Sequence, residues 1–217
     1  MQSLNSTFRQ IFVKDFLFVR TIRKQNFRNQ VKLSLRMMGT EAEKGTFLYF
    51  AYGSNLWTKR IHENNRTATM VAVGKLEGHR LDFGHWTQRW RGASANILAE
   101  EGSHVYGVLW ELNQCDQASL DKQEGVLDNI YQRVELTVET VPDGKKVNCM
   151  AYRIRDETRQ KSVLAHGENL IPSLRYKNVI IQGAKEHGLP EEYVKFLEAV
   201  PDNGYNGDVD VNIPLTT

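Results

Sequence analysis

The feature that most constrains the fold is a run of six apolar residues, 47–52, that ends abruptly at Gly53-Ser54-Asn55. An apolar run without alternation is typical of a strand that is buried on both faces. Residues 56–63 then have the pattern of a short helix, and Ser54 or Asn55 can cap its first turn. The sequence therefore predicts a buried strand, a glycine turn and a helix in immediate succession.

The joint between this strand and this helix also has a chemical interpretation. The backbone N–H groups of such a turn lie at the positive end of a helix dipole and can bind an anion. The stretch has no G-x-G-x-x-G pattern and no P-loop lysine, so a carboxylate suits it better than a phosphate. Ser54 lacks the frame of a catalytic serine, and we interpret it as a cap or as a substrate hydrogen bond. The alternative is that the joint is purely structural.

The rest of the chain contains more strand patterns than helix patterns, and the two do not alternate regularly. This order argues against a doubly wound parallel sheet. It predicts an α+β fold, a small mixed β-barrel with flanking helices. Strands are predicted at 69–73, 80–83, 95–98 and 104–112, a hairpin at 131–141 and 145–155, and helices at 113–123, 173–187 and 191–200.

The net charge of +2 conceals an uneven distribution. Residues 1–39 carry eight Lys/Arg and one acid, which gives this arm a charge of +7 and the remaining 178 residues a charge of −5. The mildly acidic remainder has no basic stripe and argues against a nucleic-acid partner. The basic, acid-poor arm has the composition of a mitochondrial targeting segment, and the alternative is an untargeted extension.

Three further classes of protein are disfavoured by composition. No run of 18 apolar residues occurs, so no membrane span is predicted. Cys115 and Cys149 are too few for a disulfide framework, and both are predicted to be ordinary buried thiols in a reducing compartment. The six histidines show no metal-ligand spacing, so no metal is predicted.

Glu124 is the strongest candidate for acid–base chemistry. It lies in the last turn of a predicted helix, four residues after Leu120 and on the same face. Burial beside Leu120 and the negative end of the helix dipole both raise a carboxyl pKa toward neutrality. A glutamate with such a pKa is suited to act as a general base. The alternative is a solvated glutamate at a helix end.

The four tryptophans are predicted to have two different roles. Trp86 and Trp90 flank a loop that precedes Gly92, and they can form the wall of a pocket. Trp57 and Trp110 are predicted to lie in the core.

Several segments together resemble γ-glutamylcyclotransferase. They are Phe-Ala-Tyr-Gly-Ser-Asn-Leu at 50–56, Leu-Asp-Phe-Gly at 81–84, Leu-Asp-x-Gln-Glu-Gly-Val at 120–126, Tyr-Lys at 176–177 and Gly-Ala-Lys-Glu-x-Gly-Leu-Pro at 183–190. Related cyclotransferases that act on glutathione carry Tyr-Gly-Ser-Leu at the first motif, and those that act on γ-glutamylamines carry Tyr-Gly-Thr-Leu. Asn55 therefore points to the branch that acts on γ-glutamyl amino acids.

The resemblance implies an enzyme that releases an amino acid from a γ-glutamyl amino acid and leaves 5-oxoproline, without a cofactor. It implies that Glu124 is the acid/base and that Tyr131 lies in the pocket. The implied substrate-binding residues are Tyr49, Phe50, Ala51, Tyr52, Gly53, Ser54 and Tyr176. Alternatives are a sibling enzyme that acts on glutathione or γ-glutamylamines and a non-catalytic binding module on the same fold.

The change of composition at Thr46 and the start of the resemblance there predict three segments. We expect residues 1–45 to be a basic, disordered extension, 46–207 to be the catalytic domain, and 208–217 to be a flexible tail. The expected partners are a small-molecule substrate and a second copy of the chain in a homodimer. We expect a cytoplasmic protein, or a mitochondrial one if the basic arm is a targeting segment.

Overall fold

The structure, a computed structural model, describes residues 45–209. The predicted basic extension up to residue 44 and the predicted tail from residue 210 lie outside the described residues. Five strands form a closed barrel in the order β1-β3-β2-β4-β5. They are β1 (Thr46–Ala51), β2 (Thr69–Thr87), β3 (Gly92–Asn113), β4 (Tyr131–Val141) and β5 (Lys146–Ile154). The predicted α+β barrel is confirmed.

The barrel is mixed because one of its five pairings is parallel. Neighbouring strands run antiparallel, except that β1 and β5 close the barrel in parallel, with Tyr49 opposite Met150. In β4 apolar and polar residues alternate along the sequence, and the structure follows this period of two, because Val138 is fully buried and Glu135 is exposed. Alternation of this kind places one face of the strand in the barrel interior and the other in water.

The prediction of four short strands between residues 69 and 112 was wrong. Glycines lie between the predicted strands, but two long paired strands, β2 and β3, run through them with local register shifts. A Cβ at Gly74 or Gly107 would lie 3.2 or 2.6 Å from the Phe50 ring. These glycines therefore make room for an aromatic ring inside the barrel, a role that glycine often has within strands.

Five α-helices of the described region pack around the barrel. They are α1 (Thr58–His62), α2 (Gln117–Gln123), α3 (Asp156–His166), α4 (Leu174–Glu186) and α5 (Glu191–Ala199). Helix α3 was not predicted, because its sequence has no apolar stripe and Ser162 is its one buried residue. Among the helices of residues 45–209, none is long and apolar enough to cross a membrane.

Two local predictions need correction. Neither Ser54 nor Asn55 caps α1, because a 3-10 turn at Ser54–Leu56 intervenes and Trp57 occupies the cap position of α1. The Asn55 side chain is instead buried and points into the protein. Cys149 is buried as predicted, but Cys115 is exposed, because it lies on a surface 3-10 turn that precedes α2.

Candidate active site

Glu124 lies directly after the last residue of α2, and its N–H donates to the Leu120 carbonyl at 3.0 Å. Leu120 is fully buried beneath it, as the helical spacing predicted. Burial of the Glu124 carboxylate raises its pKa to about 7, although the positive charge of Arg60 and the Asn55 hydrogen bond act in the opposite direction. A carboxyl with this pKa can both accept and donate a proton at neutral pH.

Asn55 connects the glycine turn to α2. Its amide nitrogen donates to Glu124 Oε1 at 3.0 Å and to the Tyr49 hydroxyl at 3.1 Å, while its amide oxygen accepts from Gln123 at 2.8 Å. Its backbone carbonyl accepts from the Trp110 indole at 3.0 Å. Both amide hydrogens are used, so the orientation of the side chain is fixed. Asn55 therefore holds the Glu124 carboxylate in one position.

Five tyrosines surround the space in front of Glu124. The lining of this inner cavity is Tyr49, Tyr52, Gly53, Ser54, Asn55, Ala95, Glu124, Tyr131, Tyr152 and Tyr176. Burial raises the pKa of each of these tyrosines above its ordinary value of 10, to about 12 for Tyr176. At neutral pH the phenols are therefore uncharged hydrogen-bond donors, and Glu124 is the group in the cavity that titrates.

Three of these hydroxyls donate to fixed acceptors, two on the barrel and one on α2. Tyr131 donates to the Ala95 carbonyl at 2.8 Å, Tyr52 donates to the Tyr152 carbonyl, and Tyr152 donates to Asp121 at 2.7 Å. The Tyr49 and Tyr176 hydroxyls differ, because they accept from the Asn55 amide and from the Ala95 N–H, each at 3.1 Å, and neither has an acceptor for its own proton within residues 45–209. Those two protons are available to a ligand.

Tyr176 reaches the cavity from α4, and two features of the sequence place it there. The Ser173 side chain caps α4 by accepting from the Tyr176 N–H at 3.0 Å. Gly53 leaves room for the ring, because a Cβ there would lie 3.1 Å from the Tyr176 hydroxyl and 3.2 Å from the Ala95 side chain. Glycine at position 53 therefore allows Tyr176 of α4 to lie close to the turn.

An outer cavity of about 360 Å³ continues from the inner one. Ser54, Glu124, Tyr131 and Tyr176 line both cavities, so the two share a wall. Trp86 and Trp90 line the outer cavity, as predicted. Trp86 stacks on His166 and Trp90 packs against Tyr176, with ring centroids 4.9 and 4.7 Å apart. Trp57 and Trp110 are buried in the core, also as predicted.

The structure brings together most of the predicted site residues. The exceptions are Phe50 and Ala51, which are fully buried in the barrel and line neither cavity. Three residues that were not predicted from the sequence also line the two cavities: Ala95 and Tyr152 line the inner one, and Arg60 lines the outer one. Tyr152 carried a weak signal, since it falls on the same face of its strand as the buried Ile154.

The described residues contain no group of three or more His, Cys, Asp and Glu that could hold a metal ion. Histidines are also missing from the inner cavity lining. His85 lines the outer cavity and hydrogen-bonds Ser162 at 2.9 Å. The chemistry available in the inner cavity is therefore that of one carboxyl group, several phenols and backbone N–H groups.

Comparison with known proteins identifies the family. A protein named gamma-glutamylcyclotransferase from Mus musculus is 42% identical over 175 residues, which cover 79% of this chain and 86% of the relative. The chain belongs to the γ-glutamylcyclotransferase family. The Homo sapiens protein of the same name is 40% identical and shares 80% of this chain and 89% of its own length. It follows that this chain is an enzyme of the γ-glutamylcyclotransferase type.

Two further comparisons agree with this family. Residues 104–197 match the sequence model of the AIG2-like family. A solved structure titled gamma-glutamyl cyclotransferase has 40% sequence identity and a TM-score of 0.69, and the match covers 76% of this chain and 94% of that structure. The γ-glutamylcyclotransferase barrel and its flanking helices are therefore shared with a solved structure.

Proposed function

We propose that this chain converts γ-glutamyl amino acids to 5-oxoproline and a free amino acid, with Glu124 as the acid/base. The observation that carries the proposal is a carboxyl group with a pKa of about 7 on the wall of a tyrosine-lined cavity. Membership of the γ-glutamylcyclotransferase family supports the reaction class. The Tyr-Gly-Ser-Asn turn supports the γ-glutamyl amino acid branch rather than the glutathione or γ-glutamylamine branches.

The reaction needs no nucleophile from the enzyme. The α-amine of the substrate attacks its own γ-carbonyl carbon, the new C–N bond closes a five-membered ring, and the bond to the leaving amine breaks. A free α-amine has a pKa of about 8 and is mostly protonated at neutral pH. Glu124 takes a proton from the amine and delivers it to the departing nitrogen, so the group is regenerated after each turnover.

The remaining residues fold the substrate into the attack conformation. Reacting groups held in one molecule at the right geometry gain an effective concentration of roughly 10⁵ M or more. Tyr49, Tyr52 and the Gly53–Ser54 backbone enclose the γ-glutamyl group, and the free Tyr176 proton is available to an oxyanion on the former carbonyl. Ser54 has no histidine partner in the inner cavity, which agrees with a binding role.

The test is incubation of the purified chain with γ-glutamyl-alanine, followed by measurement of 5-oxoproline and alanine. Both products are expected in equal amounts. Glutathione and a γ-glutamylamine are tested in parallel, and each is expected to react more slowly. Faster turnover of either compound would assign the chain to a sibling branch, and no 5-oxoproline from any of the three would favour a binding module.

We also propose that the enzyme is a cytoplasmic homodimer that works in γ-glutamyl and glutathione metabolism. Support for these assignments comes from the family resemblance, and the basic arm leaves mitochondrial delivery as the alternative location. Light scattering of the purified chain gives the oligomeric state. A fluorescent fusion of the full chain gives the location, and secretion would contradict both expected compartments.

A further inference from the structure

Arg60 is a buried cation on the wall of the outer cavity. Its side chain is 4% exposed and it lines the cavity together with Glu124. One guanidinium nitrogen donates to Glu63 at 2.5 Å, which is its one acceptor within residues 45–209. The buried Nε atom has no hydrogen-bond partner in the same region. A guanidinium has five N–H donors, so most of the capacity of Arg60 is unused.

The surroundings of Arg60 make the outer cavity suitable for an anion. Arg89, on the exposed turn between β2 and β3, lines the same cavity and adds a second positive charge. The positive charges of both arginines favour the ionised form of Glu124. The Arg60 guanidinium also lies 6.0 Å from the centre of the Trp90 ring, which forms another part of the wall. Lys122 is a third cation in the lining, and Glu124 and Asp128 are its two carboxylates. A ligand in this cavity therefore meets a net positive lining and an aromatic surface.

The proposed reaction determines which part of the substrate enters this cavity. Glu124 must lie beside the nitrogen that leaves, and it lines both cavities. The inner cavity holds the tyrosines and the glycine turn that enclose the γ-glutamyl group, and it is much smaller than the outer cavity. The leaving amino acid therefore lies in the outer cavity, and its α-carboxylate is two bonds from the scissile nitrogen.

We infer that Arg60, assisted by Arg89 at the mouth, binds the free α-carboxylate of the leaving amino acid. This inference rests on the proposed function and adds the recognition of the leaving group to it. It makes Arg60 a specificity-determining residue, since a substrate without that carboxylate leaves the buried cation without its ligand. Hydrogen bonds between charged partners are stronger than neutral ones and give corresponding discrimination.

The test compares γ-glutamyl-alanine with γ-glutamyl-alaninamide, which differ only in this carboxylate. In the wild-type chain kcat/KM is expected to favour the acid roughly 10- to 100-fold, the range for a charged hydrogen bond. Arg60→Met should lower kcat/KM for the acid by a similar factor and leave the amide within about 3-fold, while Arg60→Lys should retain part of the preference. Lys59→Met, an exposed change on the same helix, is the matched control and should retain all of it.

Each outcome decides between the inference and its rivals. Equal turnover of acid and amide by the wild-type chain overturns the inference and leaves the proposed function intact. Turnover of neither compound contradicts the proposed function instead. An equal loss on both substrates in Arg60→Met overturns the inference, because it shows that Arg60 acts on both alike, through its ion pair with Glu63 or its charge near Glu124. If Arg60→Met does not fold, Arg89→Met at the exposed mouth is used, and a rise in KM for the acid alone supports the inference.

Discussion

The Glu124 carboxylate is desolvated and yet held by a hydrogen bond from Asn55. The Glu124→Gln substitution keeps the size of the side chain and removes its proton acceptor. We expect 5-oxoproline release to fall at least ~10²-fold, which corresponds to about 2.7 kcal/mol of transition-state stabilisation. Glu135→Gln, the same chemical change at an exposed position of β4, is the control. Turnover of Glu124→Gln close to that of the control would leave the reaction without a base.

The same residue links stability to pH. The pKa of Glu124 is about 7 in the folded chain against an ordinary value of 4.5, so the folded state binds the proton more tightly. Its contribution to the free energy of unfolding is therefore largest below about pH 4.5 and is lost as the pH rises toward 7.

Glutamine does not ionise, so the Glu124→Gln variant does not lose this stabilisation as the pH rises. We expect the variant and wild type to be about equally stable near pH 4 and the variant to be more stable by up to about 3 kcal/mol near pH 8. Urea unfolding across this pH range measures the difference. A stability difference that does not change with pH would show that the carboxyl group titrates as an ordinary surface glutamate.

Among single residues, the sequence predicted those whose role follows from neighbours in the same helix or strand. The Leu120–Glu124 spacing lies within one helix and was sufficient to place the carboxyl beside an apolar contact. The role of Asn55 depends on Gln123 and Trp110, which are 68 and 55 residues away. Arg60 was not predicted because a charged residue in a pattern indicates an exposed position, and burial of an arginine depends on the partners that the fold supplies.

At the scale of elements, a glycine allows helix α4 to pack against the 3-10 turn at Ser54–Leu56. A Cβ at Gly183 would lie 2.4 Å from the Leu56 carbonyl carbon and 2.4 Å from the Trp57 nitrogen. Both neighbours are backbone atoms, so no rotation of a side chain can relieve the overlap. The close contact of α4 with the turn therefore requires glycine at this position.

Replacement of a helical glycine by alanine usually stabilises a helix by about 1 kcal/mol. For Gly183→Ala we expect the opposite sign, a loss of about 1–3 kcal/mol in the free energy of unfolding, because the helix must move away from the turn. The KM for γ-glutamyl-alanine should rise as well, since Tyr176 moves with α4. Gln182→Ala, its exposed neighbour, should change stability by less than about 0.5 kcal/mol. Higher stability in Gly183→Ala would contradict this packing.

The elements that the sequence predicted well are those with a clear period. The β4 alternation and the amphipathic helices α4 and α5 each bury one face, and their patterns show it. Helix α3 buries almost nothing and has no such pattern. The strands β2 and β3 were divided because a glycine that accommodates an aromatic ring cannot be told in sequence from a glycine that ends a strand.

At the scale of the whole molecule, the basic arm and the rest of the chain differ in the sign of their net charge. The barrel and its helices lie within residues 45–209, and the arm that precedes them carries a charge of +7 over residues 1–39. We expect a chain shortened to begin at Met38 to retain full turnover of γ-glutamyl-alanine and to unfold cooperatively. Turnover and thermal melting of the full and shortened chains test this. A marked loss of either property would show that the arm belongs to the catalytic domain.

The parallel pairing of β1 with β5 has a consequence for ligand binding. Tyr49 pairs with Met150 across this seam, its ring packs edge-on against that of Tyr152 at 5.7 Å, and Tyr52 hydrogen-bonds the Tyr152 carbonyl. All three tyrosines line the inner cavity, so an opened seam destroys the pocket while the antiparallel pairs remain. A γ-glutamyl group bound in the cavity should therefore stabilise the β1–β5 pairing against local opening. On addition of this ligand, hydrogen–deuterium exchange should slow far more at the β1 and β5 amides than at those of β2 and β3.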